Sequence, residues 1–198
     1  MIAAVVLAAG LSRRMGRPKL TLPWGNSTVI GQIVTILSQS GLDQILVVTG
    51  GAHDQIAFAL AGQPAELVFN PLYELDDMAV SLQVGLAALD PPPDAVLVVL
   101  GDQPQIKIEV VRRLLEIYAE GSSRLVIPSY QKRRGHPWLI DRSLFAQLQS
   151  IKLPETMRAF LQRNQDQIEY LEVDDDSVLR DLDTPEDYDR ERPSNLKA

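Results

Sequence analysis

Short uninterrupted apolar runs alternate along this chain with stretches in which apolar residues return every three or four positions. A run closed off by turn residues reads as a strand buried on both faces, and the 3.6-residue recurrence reads as a helix. Strands are predicted at 2–9, 44–49 (QILVVT), 66–69 and 95–100 (AVLVVL). Helices fall at about 27–40, 54–61, 79–89 and 108–120, with Ser27 as cap of the first and Gly41 as its stop. Gly50-Gly51 ends the second strand, and Pro91-Pro92-Pro93 stops the third helix. The second half is less regular. Strands at 125–128 and 138–140 flank a turn at Arg133-Arg134-Gly135-His136-Pro137, followed by helices near 144–149 and 155–163 and a strand at 168–173. Asp183-Thr184-Pro185-Glu186-Asp187 reads as a helix start, with Asp183 or Thr184 as cap and acids at the positive end of the dipole. Strands alternating with helices predict an α/β fold with a mainly parallel sheet.

The length, 198 residues, fits one domain over 1–191 with a flexible tail at 192–198. Cysteine is absent, so disulfides, thiolate metal sites and cysteine nucleophiles are excluded together. The apolar run at 2–9 precedes its arginines, the reverse of a signal peptide, and no run reaches the ~18 residues of a membrane span. A soluble cytoplasmic protein without a membrane partner is expected.

The formal charge of −7 argues against nucleic acid as a partner. Its distribution says more. Residues 1–42 hold no acid but carry Arg13, Arg14, Arg17 and Lys19, and 121–140 hold none but carry Arg124, Lys132, Arg133 and Arg134. Twelve acids crowd into 166–191. Two basic islands in an acidic chain point to a local anionic ligand, with solvated surface charge as the alternative.

The richest motif is Leu7-Ala8-Ala9-Gly10-Leu11-Ser12-Arg13-Arg14-Met15-Gly16-Arg17-Pro18-Lys19. A buried strand runs into a glycine turn and then into a loop with four cations. Small residues at Ala8, Ala9 and Gly10 admit a flat ligand to the backbone, while loop N–H groups, Arg14 and Lys19 suit phosphates. Neither the P-loop nor the dinucleotide glycine pattern is present. Asp102, at the carboxyl end of AVLVVL, stands where open α/β sheets bind ligands. One carboxylate there suits magnesium, and a turn or helix cap before Pro104 is the alternative. Trp24 and Trp138 are read as packing residues.

The stretch LAAGLSRRMGRPKL resembles the signature of the MobA-like nucleotidyltransferases, especially the molybdenum cofactor cytidylyltransferase branch. Gly101-Asp102-Gln103-Pro104, Gly135-His136-Pro137 and Asp181-Leu182-Asp183-Thr184-Pro185-Glu186-Asp187 fit the same family in the same order. Ala9, where guanylyl-transferring relatives usually have glycine, resembles the cytidylyl type. The resemblance implies a three-layer α/β/α, Rossmann-like nucleotidyltransferase fold. It further implies nucleotide binding by Leu7, Ala8, Ala9, Gly10, Ser12, Arg14, Gly16, Lys19 and Ser81, with Arg14, Lys19 and Asp102 catalytic. Asp102 would hold Mg2+; His136, Pro137, Arg158 and Asp183 would face a pterin substrate. One departure stands out: family members usually have glycine before the Ser-Leu pair, whereas this chain reads Leu75-Asp76-Asp77-Met78 before Ser81-Leu82. Two carboxylates there would repel a triphosphate unless turned away or bound to metal.

The implied reaction joins CMP from CTP to molybdopterin-bound molybdenum cofactor and releases pyrophosphate, with a molybdoenzyme receiving the product. The competing readings are a GTP-dependent guanylyltransferase, a sugar-phosphate nucleotidyltransferase, and a non-catalytic nucleotide or cofactor chaperone for a molybdoenzyme.

Overall fold

The computed structural model describes residues 1–121 and 123–194. Residues 195–198 of the expected tail lie outside the described residues, while Arg192 is tied down by a backbone hydrogen bond to Tyr188 and by Asp189.

One large sheet contains β1 (Ile2–Ala8), β4 (Gln44–Thr49), β5 (Glu66–Phe69), β6 (Ala95–Leu100), β7 (Leu125–Tyr130), β8 (Arg133–Arg134), β9 (Trp138–Asp141) and β10 (Ile168–Glu172). Its order is β10-β7-β9-β6-β1-β4-β5, with β8 paired to β7. β6, β1, β4 and β5 run parallel; β9 is antiparallel to both β6 and β7. A mainly parallel sheet is what the buried apolar runs predict.

Every other side chain of a strand faces the same way, and both faces here are covered. Ala4, Val6 and Ala8 of β1 join Leu97 and Val99 of β6 under α1 (Val29–Ser38), α2 (His53–Ala59) and α4 (Ile108–Ala119). Ala3 and Val5, with Val96 and Val98, pack under α3 (Met78–Ala88), α5 (Phe145–Gln149) and α6 (Met157–Arg163). The result is three layers, helices on either side of the sheet. Gly85 brings α3 close to it: a Cβ there would stand 2.5 Å from Val5 Cγ1.

The chain leaves β1, builds β4 and β5 on one side, then crosses to β6 on the other. Strand order therefore reverses between β1 and β6, and their carboxyl ends open a crevice there. Leu7 pairs with Leu100, so the loops that follow, at Ala9 and at Gly101, leave the sheet side by side.

Two details differ from the sequence reading, and a third settles between its alternatives. Thr28, not Ser27, caps α1, its hydroxyl accepting from Gly31 N at 3.1 Å. Ser27 belongs to a small ribbon of β2 (Pro23–Trp24) and β3 (Ser27–Thr28), too short to show any periodicity. Arg133 and Arg134 form β8 rather than a turn; the turn is made by Gln131 and Lys132, both at positive φ. That gives the two-residue hairpin geometry that matches strand twist. At α7 (Pro185–Glu191) the cap is Thr184: its hydroxyl accepts from Asp187 N at 3.2 Å and Thr184 N donates to Asp187 at 3.0 Å. Asp183 is thereby left free of capping. Among the described residues no helix is long and apolar enough to cross a membrane.

Candidate active site

The basic loop is built by local turn chemistry and one apolar anchor. After β1 the chain turns at Ser12, at φ 50°, whose carbonyl accepts from Met15 N and Gly16 N, each at 3.1 Å. Gly16 sits at φ 69°, a left-handed conformation that suits glycine. Met15, only 4% exposed, pins the loop to the core while Arg13, Arg14 and Arg17 stay outside. Gly10 has open space where a Cβ would be, with no atom of the described residues within 4 Å of it. A short 3-10 turn, Lys19–Thr21, buries Leu20 and so aims Lys19 into the crevice.

Asp102 reaches the same point from β6. Gly101 lets the loop approach β1, since a Cβ there would lie 2.8 Å from the Leu7 carbonyl. Lys19 Nζ donates to Asp102 Oδ2 at 2.5 Å and to Asp183 Oδ1 at 3.2 Å. Arg14 pairs with Asp183 Oδ2 at 2.9 Å. Burial opposes the charge on Lys19, but Asp102 and Asp183 outweigh it and raise its pKa, keeping the ammonium charged.

A C-terminal strap delivers Asp183. Leu182 N donates to the Asp102 carbonyl at 3.1 Å, and buried Gln103 donates to Asp181 Oδ1 at 2.7 Å. Gln105 bonds the Arg180 carbonyl, so GDQP and DLDTPED zip together. Burial, then the charges of Asp102 and Asp183, raise the pKa of Asp181. Gln103 is a positioning residue that the sequence reading did not single out; its place inside GDQP was the available signal.

Leu7, Ala8, Gly10, Ser12, Arg14 and Lys19 meet Asp102 and Asp183 around a cavity of ≈ 220 Å³. Ala9 and Ser81 line its neighbour of ≈ 210 Å³ with Asp77 and Asp181. Gly16 lies on the loop's other side, where Arg13, Arg17 and Gln55 line a cleft of ≈ 400 Å³. The Asp76-Asp77 departure resolves into two different carboxylates. Asp77 caps α3, accepting from Ala79 N at 2.8 Å and Val80 N at 3.1 Å, so its charge meets the positive end of a helix. Asp76, at φ 51° where glycine is eased, faces both cavities. Ser81 is 7% exposed and accepts from Asn70 at 3.2 Å, leaving its own hydroxyl proton free to donate.

Lys132 and Arg134 of the second basic island join Arg158, Trp138, Met78 and Asp77 around a further cavity of ≈ 710 Å³, which meets the one beside Ser81 at Asp77 and Met78. Trp138 is 6% exposed and donates its indole N–H to the Gly135 carbonyl at 2.7 Å. Trp24, also 6% exposed, packs beside Tyr188. His136 and Pro137 are not among the residues lining these cavities. The His136 ring stacks on Trp138 at 4.2 Å, and its Nε2 is buried without a hydrogen-bond partner among the described residues. Burial lowers its pKa to about 3.

That depression carries a stability signature. An unfolded histidine takes up a proton near pH 6.5, whereas the folded one does so only near 3. Between these values the unfolded state binds more protons, so stability is full above pH 6.5 and falls as pH drops below it. The slope is up to about 1.4 kcal/mol per pH unit. Urea unfolding of the native protein should show a loss of roughly 2 kcal/mol at pH 5. In His136→Gln the slope between pH 6.5 and 5 should be largely gone; an equal slope in both proteins would contradict the assignment.

The model of the MobA-like NTP transferase domain matches residues 4–168, which hold the loop, Asp102 and the second basic island. The chain belongs to the MobA-like NTP transferase family. As a member, it is 25% identical to the molybdenum cofactor cytidylyltransferase of Escherichia coli (strain K12), over 94% of this chain and 93% of that protein. It is 28% identical to the purine catabolism protein PucB of Bacillus subtilis (strain 168), over 95% and 94%. Among solved structures, Rv0371c of Mycobacterium tuberculosis H37Rv superposes with a TM-score of 0.84 at 31% identity, covering 96% of both chains. A complex of Rv0371c with manganese superposes with a TM-score of 0.79. Three-layer architecture, mainly parallel sheet and MobA-like family membership thus agree with the expectations from the motifs.

Proposed function

We propose that this MobA-like transferase joins CMP from CTP to the terminal phosphate of a molybdopterin-type cofactor and releases pyrophosphate. The observation that carries the reading is the meeting of Arg14, Lys19 and Asp102 at the sheet's switch point, beside a second, basic cavity. The full-length similarity to a molybdenum cofactor cytidylyltransferase supports the choice of substrates.

The residues fit a magnesium ion. Asp102 offers a hard oxygen in the crevice, with Asp183 in the same cavity and Asp181 in the adjoining one. Among the described residues no group of three or more His, Asp or Glu side chains gathers around one point. A footing of one or two carboxylates is what magnesium uses when substrate phosphates complete its shell. When bound, the metal would supply charge neutralisation on the triphosphate.

The chain's own residues do the rest. Backbone at Ala9 and Gly10 makes room for the nucleotide, and Ser12, Arg14 and Lys19 hold its phosphates. Arg158, Lys132 and Arg134 hold the anionic acceptor. An acceptor phosphate oxygen bonds to the α-phosphorus while the α–β bridging P–O bond breaks, its electron pair leaving with pyrophosphate. The nucleophile is already ionised, so no general base is required and neutral His136 is not one. Alignment and neutralisation of the leaving group by Arg14 and Lys19 supply the acceleration.

Molybdenum-loaded molybdopterin should release pyrophosphate with CTP and magnesium, and mass spectrometry should find the cytidine dinucleotide. Faster turnover with GTP would replace this reading by the guanylyl one, and turnover only with sugar phosphates would remove the cofactor from it. Tight CTP binding without any pyrophosphate release would favour a chaperone.

A further inference from the structure

The basic cavity beside α6 differs from the crevice in the state of its cations. Arg14 and Lys19 are paired with carboxylates, and Arg163 of α6 is paired with Glu155. Among the described residues, Lys132, Arg134 and Arg158 have no carboxylate partner. Long unpaired side chains keep their rotamer freedom and lose it when a ligand arrives. Arg134 is the exception of the three. Its Nε donates to the hydroxyl of Tyr170 at 2.7 Å, and its guanidinium carbon stands 5.6 Å from the centroid of that ring.

The sheet brings these two residues together. Tyr170 pairs with Ile127 across β10 and β7, and Arg134 pairs with Ser129 across β7 and β8. Positions 127 and 129 lie two apart on β7, so their partners on either flank project to one face. Ile127 and Ile168 pack on the side of the sheet covered by α3, α5 and α6, which is also the side of the basic cavity. Tyr170 itself lines none of the cavities described above, and it is 41% exposed on an edge strand. Burial gives little reason for an aromatic at that position; the contact with Arg134 supplies one.

We propose that Tyr170 is a positioning residue that sets the Arg134 guanidinium for the anionic acceptor. With Nε held by the hydroxyl, the two terminal nitrogens form an end-on fork that matches two oxygens of a phosphate. An arginine fixed in advance loses less freedom on binding, so affinity rises without a new contact to the ligand. Tyr170 has this role only where the basic cavity is the acceptor site, as proposed above; neither the base nor the metal enters.

Tyr170→Phe keeps the ring and removes only the hydroxyl. Acceptor binding is titrated calorimetrically without nucleotide, using molybdopterin and glucose 1-phosphate in parallel, on wild type, Tyr170→Phe, Arg134→Ala and the double variant. Arg134→Ala should weaken binding about tenfold or more, as for hydrogen bonds to a charged group, and Tyr170→Phe about three- to tenfold. The double variant should bind no more weakly than Arg134→Ala alone, because the two residues act as one unit. In turnover, the loss in Tyr170→Phe should fall on KM for the acceptor, with kcat and KM for CTP within about twofold of wild type.

Wild-type affinity in Tyr170→Phe, with Arg134→Ala impaired, would overturn the proposal. So would additive losses in the double variant, since Tyr170 would then act independently of Arg134. An equal loss in CTP binding, or a lowered Tm to match, would make the hydroxyl merely structural and also overturn it. Failure of the cofactor reading looks different: glucose 1-phosphate binds where molybdopterin does not, and the same four proteins decide Tyr170 with the sugar phosphate. Binding of neither ligand by wild type would remove the acceptor from this cavity, and the role of Tyr170 with it.

Discussion

Lys19→Ala should leave a folded protein with turnover lowered by about 10²–10³, the usual loss when one preorganised charge stabiliser is removed. Lys19 is the point where the basic loop, the aspartate after β6 and the C-terminal strap meet, through contacts of 2.5 and 3.2 Å. Its side chain is 12% exposed, so no neighbouring lysine substitutes for it from solvent. The effect should fall on kcat more than on KM, because charge develops on the leaving pyrophosphate as the P–O bond breaks. Some stability is lost as well. Removing one partner of a fully buried pair costs about 3–5 kcal/mol, but Asp102 and Asp183 keep contact with water, which lowers the figure to about 1–2 kcal/mol. Steady-state kinetics on purified protein with a native-like melting curve are the check. Turnover within threefold of wild type would remove Lys19 from the chemistry, and the assignment of the loop with it.

A second substitution should act through structure. At Gly135 an added Cβ would stand 2.4 Å from the Val178 carbonyl and 2.7 Å from Val178 Cβ. The obstacle is backbone that is itself fixed, since His136 N donates to the same carbonyl at 2.9 Å. Gly135→Ala must therefore push the β8–β9 connection off the strap. Overpacking of this kind costs about 1–3 kcal/mol, and for a chain of this size each kcal/mol lowers Tm by about 2–4 °C. The strap carries Val178, Leu182 and then Asp183, so activity should fall with stability even though Gly135 lines none of the cavities described above. Calorimetry alongside the transfer assay would show both. A variant with wild-type Tm and reduced activity would instead indicate direct contact between this segment and substrate.

These two positions show why the motifs were recognisable but not interpretable from sequence. Glycine in RGHP reads as part of a turn; it is there because the backbone of residue 178 passes too close for a side chain. Asp183 reads as a helix cap or a pterin contact. The capping box of Thr184 and Asp187 takes the first role, and that box is a local, four-residue pattern that sequence offers equally to both readings. The same holds for Asp76-Asp77, two identical side chains in a row. One satisfies the start of α3 and the other faces the cavities, a division set by a left-handed turn at Asp76.

What the sequence determined was everything that depends on near neighbours. Strands 44–49 and 95–100 coincide with the predicted runs because each is buried on both faces and bounded by turn formers, while 66–69, the half-exposed edge strand, was marked by its short apolar run alone. The basic loop, its lack of acids and the absence of cysteine were equally plain. Only the tertiary structure decided where the charges meet. Lys19 finds Asp102 across 83 positions and Asp183 across 164. No local periodicity encodes such a distance; the reversal of strand order between β1 and β6 brings the first two together, and backbone hydrogen bonding of the strap to Asp102 brings the third. The acidic tail, which in composition merely offsets the basic islands, folds back to hold the cations of the first one.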